Sequence, residues 1–288
     1  MHYIGKVYRP PSEARSLILQ CTVGCAHNTC KFCSMYKDDR FFMRDQADIL
    51  RDLDEAAATL PWIEKLFLAD GDALVLSAAR LIEIMEHAHA KLPKLRQISA
   101  YATVKDILHK SPEELRALRD AGLDLLYIGL ESGSDEVLQA MGKDQTQDEF
   151  VQACHQAKAA GLRLSVTIIL GIAERDKSEE HIRESARAIS RAKPDYAACL
   201  SLYLEPSAPL YGEVQAGRFQ MLSDDELMDE MRRFVEQVDS EGTVFRSNHP
   251  SNPHAIRGTF NEDREKMLAQ IDRAICNENY RPQRFRGL

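Results

Sequence analysis

No stretch of this 288-residue chain approaches the roughly 18 consecutive apolar positions needed to span a bilayer. The opening MHYIGKVYRPPSEAR lacks the apolar core of a secretory signal. Nor is there a block of Lys and Arg, because 37 basic and 45 acidic residues are spread along the sequence for a formal net charge of −8. These absences argue against a membrane protein and against a surface for nucleic acid or another long polyanion. A cytoplasmic protein is expected. Internal repeats and low-complexity segments are missing too, so the 44% hydrophobic content is available for one substantial core.

Cysteine is present and unevenly placed. The stretch LQCTVGCAHNTCKFCSMY, residues 19–36, holds four of the seven cysteines. In a reducing compartment such clustering points to metal ligands or catalysts, not disulfides. Cys154, Cys199 and Cys276 stand alone in helix-like or strand-like surroundings and are expected in the core.

Apolar runs that read as strands alternate with amphipathic helical stretches: SLILQ (16–20), KLFLAD (65–70), QISAYAT (97–103), DLLYIGL (124–130), RLSVTIILG (163–171) and YAACLSLYL (196–204). Their nearly continuous apolarity is that of parallel strands covered by helices, in a βα barrel or a doubly wound sheet. Six such units fit an incomplete barrel. Ser111, Thr146 and Ser223 each precede a carboxylate three positions on, as in a capping box. Gly122 and Gly161 stand where helices end and strands follow. After residue 205 the pattern loosens, leaving a helix near 223–240, the polar run FRSNHPSN and a last helix near 262–276. The reading is an α/β partial (β/α)6 TIM-like barrel over 1–205. Residues 206–288 form a helical and loop extension over its mouth, within one structural domain.

Chemistry gathers at the C-terminal ends of barrel strands, and the unusual residues fall there. Strand one runs into the cysteines, the second into Asp70-Gly71-Asp72, the third into Tyr101-Ala102-Thr103, the fourth into Glu131-Ser132-Gly133, and the fifth into Gly171. Each alone could be an ordinary turn. Cys25, Cys30 and Cys33 are spaced Cys-x4-Cys-x2-Cys with Phe32 before the last, and Cys21 lies upstream. Three thiolates can hold a 4Fe-4S cluster and leave one iron open, whereas four would close it for electron transfer. The same four cysteines could instead form a tetrahedral zinc site.

Taken together, these residues resemble the radical SAM superfamily over roughly residues 16–275. The usual spacing in that family is Cys-x3-Cys-x2-Cys, and this chain departs from it by one residue between Cys25 and Cys30. The departure is similar to an uncharacterised branch with Gly-Cys-x-His-Asn-x-Cys-x-Phe-Cys-x-Met-Tyr, matched by Gly24 to Tyr36. The resemblance implies Cys25, Cys30 and Cys33 as ligands of a 4Fe-4S cluster, with Cys21 outside the set. It implies that Asp70, Gly71 and Asp72 hold the amino group of S-adenosylmethionine. Glu131 and Ser132 would contact its ribose and carboxylate, and Gly171 and Ile172 would lie near its adenine, with Tyr101 and Thr103 at the same depth. The implied activity is reductive cleavage of S-adenosylmethionine to a 5′-deoxyadenosyl radical that takes hydrogen from a small polar substrate. An external electron donor of flavodoxin or ferredoxin type would supply the cluster. The runner-up is a non-catalytic iron-sulfur or zinc protein using the same loop.

No basic RNA-binding domain or further cysteine-rich domain is visible, and about fifteen residues before the first strand leave no expectation of a preceding cobalamin domain. In FRSNHPSN, residues 245–252, amide, hydroxyl and imidazole groups suit a polar substrate. Asn248 and His249 are the candidate catalytic residues of that segment, expected to reach inward.

Overall fold

The computed structural model describes residues 1–287. The last residue of the expected 206–288 extension, Leu288, lies outside the described residues. The chain falls into two compact units. One comprises Met1–Asn28, Met35–Ile128 and His155–Leu164, the other Thr29–Ser34, Gly129–Cys154 and Ser165–Leu288.

In the first unit the parallel strands β1 (Leu17–Gln20), β4 (Lys65–Ala69) and β5 (Gln97–Ala102) lie side by side, followed by β6 (Leu123–Glu131), whose last residues belong to the second unit. A two-stranded antiparallel ribbon of β2 (Thr22–Val23) and β3 (Phe42–Met43) brackets the cysteine-rich loop. Leu19, Leu66, Phe67, Leu68 and Ile98 are buried, as continuous apolar runs require. Helices α1 (Gln46–Thr59), α2 (Ala78–Lys91), α3 (Val104–His109) and α4 (Pro112–Asp120) supply the cover, with α1 and α4 packed on α2.

In the second unit, β7 (Arg163–Leu170), whose first two residues belong to the first unit, pairs from Ser165 on in parallel with β8 (Tyr196–Ser201), which pairs in parallel with β9 (Val244–Arg246). β9 pairs antiparallel with β10 (Arg257–Thr259). Its helices are α5 (Asp135–Ala140), most of α6 (Gln147–Ala159), α7 (Ser178–Ala192), α8 (Pro209–Gln215), α9 (Asp224–Gln237) and α10 (Arg264–Cys276). α9 packs between α7 and α10, and Phe234 meets Phe245 and Phe260 beneath it.

The capping boxes form at Ser111, Ser223 and Thr146, the last through Thr146 N–H to Glu149 at 2.9 Å and Glu149 N–H to the Thr146 hydroxyl at 3.2 Å. Cys154 and Cys199 are buried as expected. Cys276 is not: it ends α10 on the exposed side, where the apolar stripe of Met267, Ile271 and Ala274 has already turned away.

Candidate functional site

The cysteine loop is anchored at both ends by different means. At its start, Asn28 adopts φ +31°, a corner within the stretch that carries one residue more than the usual spacing. Its amide donates to the Tyr36 carbonyl at 2.6 Å, and Lys37 Nζ donates to the Asn28 carbonyl at 2.7 Å. Cys25 lies against Gly71: a Cβ built on that glycine would stand 2.8 Å from Cys25 Cβ and 2.6 Å from a ring carbon of Tyr36. Only glycine fits there.

Around Cys30 and Cys33 the backbone is tied to the end of α5. Lys31 N–H donates to the Met141 carbonyl at 2.9 Å, and the Thr29 hydroxyl donates to the Gly142 carbonyl at 2.9 Å. Leu210 N–H at the start of α8 donates to the Lys31 carbonyl at 2.9 Å. Phe32 packs against a buried apolar group that includes Met141, Ile169, Ile172 and Phe219. This seats the residue between the two cysteines. All three cysteines are partly exposed, in contrast to Cys21. That thiol is fully buried, donates to the Leu19 carbonyl at 3.5 Å, and is pushed by burial up to about 12. It is a neutral thiol at physiological pH, and thiolates are what bind metal.

Among the described residues no three His, Cys, Asp or Glu side chains are gathered as they would be around a single metal ion. A cubane cluster binds each thiolate at a different iron, so it calls for three separate sulfurs on one loop. The donor set and the glycine cradle beside Cys25 fit such a cluster.

At the end of β4, Asp70 Oδ2 accepts from Gln20 Nε2 at 3.0 Å and from Gly24 N–H at 3.1 Å. Its Oδ1 is buried without a hydrogen bond, and the buried Tyr36 hydroxyl faces this carboxylate without completing one. Burial raises the Asp70 carboxyl above the ordinary aspartate range, and raises the Tyr36 phenol well above its own. An unfilled acceptor in this place fits an incoming ammonium group. Asp72 is buried, close enough to act on the charge of Lys110. At the end of β5, Tyr101 stacks edge-to-face on Phe67 at 5.0 Å and on Tyr127 at 6.1 Å. Thr103 caps α3, its hydroxyl bonded to the Asp106 carboxylate and accepting from Asp106 N–H at 3.1 Å. Its side chain is therefore taken up in local structure.

In the second unit, Glu131 ends β6 with φ +63°, a left-handed corner unusual for a residue with a side chain. Its carboxylate folds over Gly129 and accepts from Lys143 Nζ at 3.2 Å. Lys143 was not legible in the sequence, since nothing in GKDQ marks it as the partner of a residue 12 positions earlier. Ser132 is fully buried and its hydroxyl meets His181 Nδ1 at 2.8 Å. Gly171 takes φ +80° after β7, and its N–H donates to Glu230 Oε2 at 2.7 Å. Ile172 is buried in the apolar group that seats Phe32.

The polar run 245–252 differs from expectation. Asn248 is exposed, and the amide that turns inward is that of Asn252. Asn252 Nδ2 donates to the carbonyls of Cys199 and Ser247, both at 2.7 Å, and its Oδ1 accepts from the Ser201 hydroxyl at 2.9 Å. Such a loop satisfies the backbone at the end of β8, which outweighs any preference of Asn248 for the interior. His249 is half-buried. Its Nδ1 pairs with the Ser251 hydroxyl at 2.8 Å, and Arg281 donates to its carbonyl at 3.1 Å. Burial, then the nearby Arg281, lowers its pKa below the usual histidine value.

A largely parallel α/β fold with a three-cysteine loop after its first strand is what these observations define. Residues 19–187 match the Radical SAM superfamily, and the chain belongs to it. That family uses a 4Fe-4S cluster and S-adenosylmethionine. The chain is 22% identical over 206 residues to the heme chaperone HemW of Bacillus subtilis (strain 168), covering 68% of this chain and 53% of that protein. It spans about half the length of the curated relatives it matches. Among solved structures it is similar to the radical S-adenosylmethionine methyltransferase TsrM from Kitasatospora setae, with TM-score 0.58 and 19% identity over 70% of this chain and 39% of that one. It is also similar to methylornithine synthase (PylB), with TM-score 0.56 and 16% identity over 93% and 82%. These likenesses establish the fold as the α/β partial TIM-like barrel of the family. Among the described residues no helix is long and apolar enough to cross a membrane.

Proposed function

We propose that this protein is a radical SAM enzyme in which Cys25, Cys30 and Cys33 hold a 4Fe-4S cluster and the ends of β4, β6 and β7 hold S-adenosylmethionine. Bound there, the reduced cluster would supply the electron that cleaves the sulfonium to methionine and a 5′-deoxyadenosyl radical, which takes a hydrogen atom from substrate. The observation that carries this reading is the contact of Gly71 with Cys25, which brings the family's amine-binding turn against its cluster loop with no side chain between them.

The chain's own residues divide the remaining work. Asp70 and Asp72 offer buried carboxylates to the methionine ammonium, and the turn between them offers backbone carbonyls. Glu131 offers its carboxylate to the ribose hydroxyls, while Lys143, which donates to it, supplies a cation for the methionine carboxylate. Gly171 and Ile172 present an apolar edge suited to adenine. Residues 1–205 carry these cofactor contacts, and 206–288 supply the substrate face. His249 is its candidate proton carrier, with Nε2 as the ring's remaining proton site. We place the protein in the cytoplasm, served by a flavodoxin-type or ferredoxin-type donor and acting on a small polar molecule.

The test is anaerobic reconstitution followed by iron, sulfide and zinc analysis and an assay for 5′-deoxyadenosine with a strong reductant. About four irons per chain and release of 5′-deoxyadenosine are expected. Stoichiometric zinc, or a full cluster that leaves S-adenosylmethionine intact, would overturn the reading.

A further inference from the structure

Beneath the ends of β6 and β7 lies a buried polar network that cofactor contact does not explain. His181, in the first turn of α7, is fully buried, and burial holds it at about 4, so the ring is neutral. Contact with the backbone of Ile169 offsets only part of that burial. Ser132 accepts from Ser134 N–H at 3.1 Å, which leaves its own proton to donate to His181 Nδ1 at 2.8 Å. One turn on, the Ser185 hydroxyl lies 3.4 Å from the same nitrogen and accepts from Gly133 N–H at 2.8 Å. Gly133 has no room for a Cβ, which would collide with the backbone of Glu184. Helix α7 thus touches the turn after β6 backbone to backbone.

The same helix reaches the turn after β7. Ser178 donates to Glu230 Oε1 at 2.6 Å, and the other oxygen of that fully buried carboxylate accepts from Gly171 N–H at 2.7 Å. Arg233 donates to the Ser178 hydroxyl at 2.9 Å. Residues 178–185 therefore hold Ser132-Gly133 directly and Gly171 through Glu230.

From this juxtaposition we infer that His181 and Glu230 are positioning residues for S-adenosylmethionine, which fix the turns after β6 and β7 at one mutual spacing without touching the cofactor. The inference rests on the proposed function, because those turns matter as a pair only if one ligand spans them. A nucleoside bound at both turns binds well only when their separation is preset, since ordering them on binding would cost affinity. A merely structural network would affect melting alone.

The test compares His181→Leu and Glu230→Leu with His181→Asn and Glu230→Gln, whose amides keep an acceptor where Nδ1 and the carboxylate stood. In reconstituted protein with wild-type iron content, each Leu variant should weaken S-adenosylmethionine binding about tenfold, and each amide variant should restore it. Hydrogen exchange in cluster-free protein should rise at 131–134 in His181→Leu and at 169–172 in Glu230→Leu. Should a Leu variant fail to fold, Ser178→Ala takes its place, with a weakening of about threefold expected from one lost hydrogen bond. Folded variants that bind as tightly as wild type, or amide variants as defective as the Leu variants, would overturn the inference alone. A wild type that loads iron yet binds no S-adenosylmethionine would overturn the proposed function as well.

Discussion

Replacing Gly71 with alanine adds a single methyl group at the point where the cluster loop and the β4 turn meet. That carbon would lie 2.6 and 2.9 Å from Tyr36 ring carbons and 2.8 Å from Cys25 Cβ. These separations are roughly 1 Å short of ordinary carbon contact. Tyr36 cannot yield easily: it is 4% exposed, packed edge-to-face on Tyr8 at 5.5 Å, with its carbonyl held by Asn28. Cys25, partly exposed and on a loop, gives way instead, and its thiol moves. Overpacking of this kind costs about 1–3 kcal/mol, a fall of several degrees in melting temperature. Gly71→Ala should therefore melt lower by circular dichroism and, after anaerobic reconstitution, hold much less iron and sulfide than wild type. Gly212→Ala is the control, because nothing lies within 4 Å of a Cβ there. A Gly71→Ala protein with wild-type melting and full iron would refute the steric reasoning and the contact that carries the proposed function.

Cys21→Ala should lose about 1 kcal/mol of stability for its buried sulfur but keep its iron, whereas Cys30→Ala should lose the cluster; equal iron loss in the two would exclude the three-cysteine assignment. Glu131→Ala should keep fold and cluster but bind S-adenosylmethionine about tenfold more weakly in anaerobic titration, and unchanged affinity would remove Glu131 from the cofactor site. Burial pushes the Glu230 carboxyl up to about 7, so the folded form keeps a proton that the unfolded chain releases near the ordinary glutamate value. Its stabilising contribution is complete below that value and fades, by on the order of 3 kcal/mol, as pH rises through about 7. The melting advantage of wild type over Glu230→Gln should accordingly shrink between pH 5 and 8. His181 acts with opposite sign but is common to both proteins, so a flat difference would refute the expectation. His249→Ala should leave uncoupled S-adenosylmethionine cleavage near wild type while slowing turnover of the true substrate, and equal turnover would remove it from the substrate face.

Strands were legible because runs such as LFLA in β4 are apolar on both faces, and helix starts because Ser111 and Ser223 pair with a carboxylate at a fixed distance along the chain. Membership of the Radical SAM superfamily was legible from the cysteine loop read together with the residues at the strand ends. What escaped notice depends on contacts between distant residues. Nothing local to His181 says that it meets Ser132, 49 positions away, and nothing in GKDQ ties Lys143 to Glu131. In SNHPSN the two asparagines look alike; which one turns inward is decided by the carbonyls of Cys199 and Ser247 that need a donor. Cys276 carried an apolar label at the one helix position where the buried stripe had ended.

The pairing of β9 with β8 bears on how the molecule could be shortened. Val244, Phe245 and Arg246 lie in register with Tyr196, Ala197 and Ala198, and the Asn252 amide closes the next carbonyl along. A truncated product ending near residue 205 would expose β8 as an open edge strand, its N–H and C=O groups free to template pairing with another copy. Residues beyond 205 thus cover an edge that would otherwise invite self-association, apart from the substrate face proposed for them, and a minimal fragment of this protein would have to retain β9.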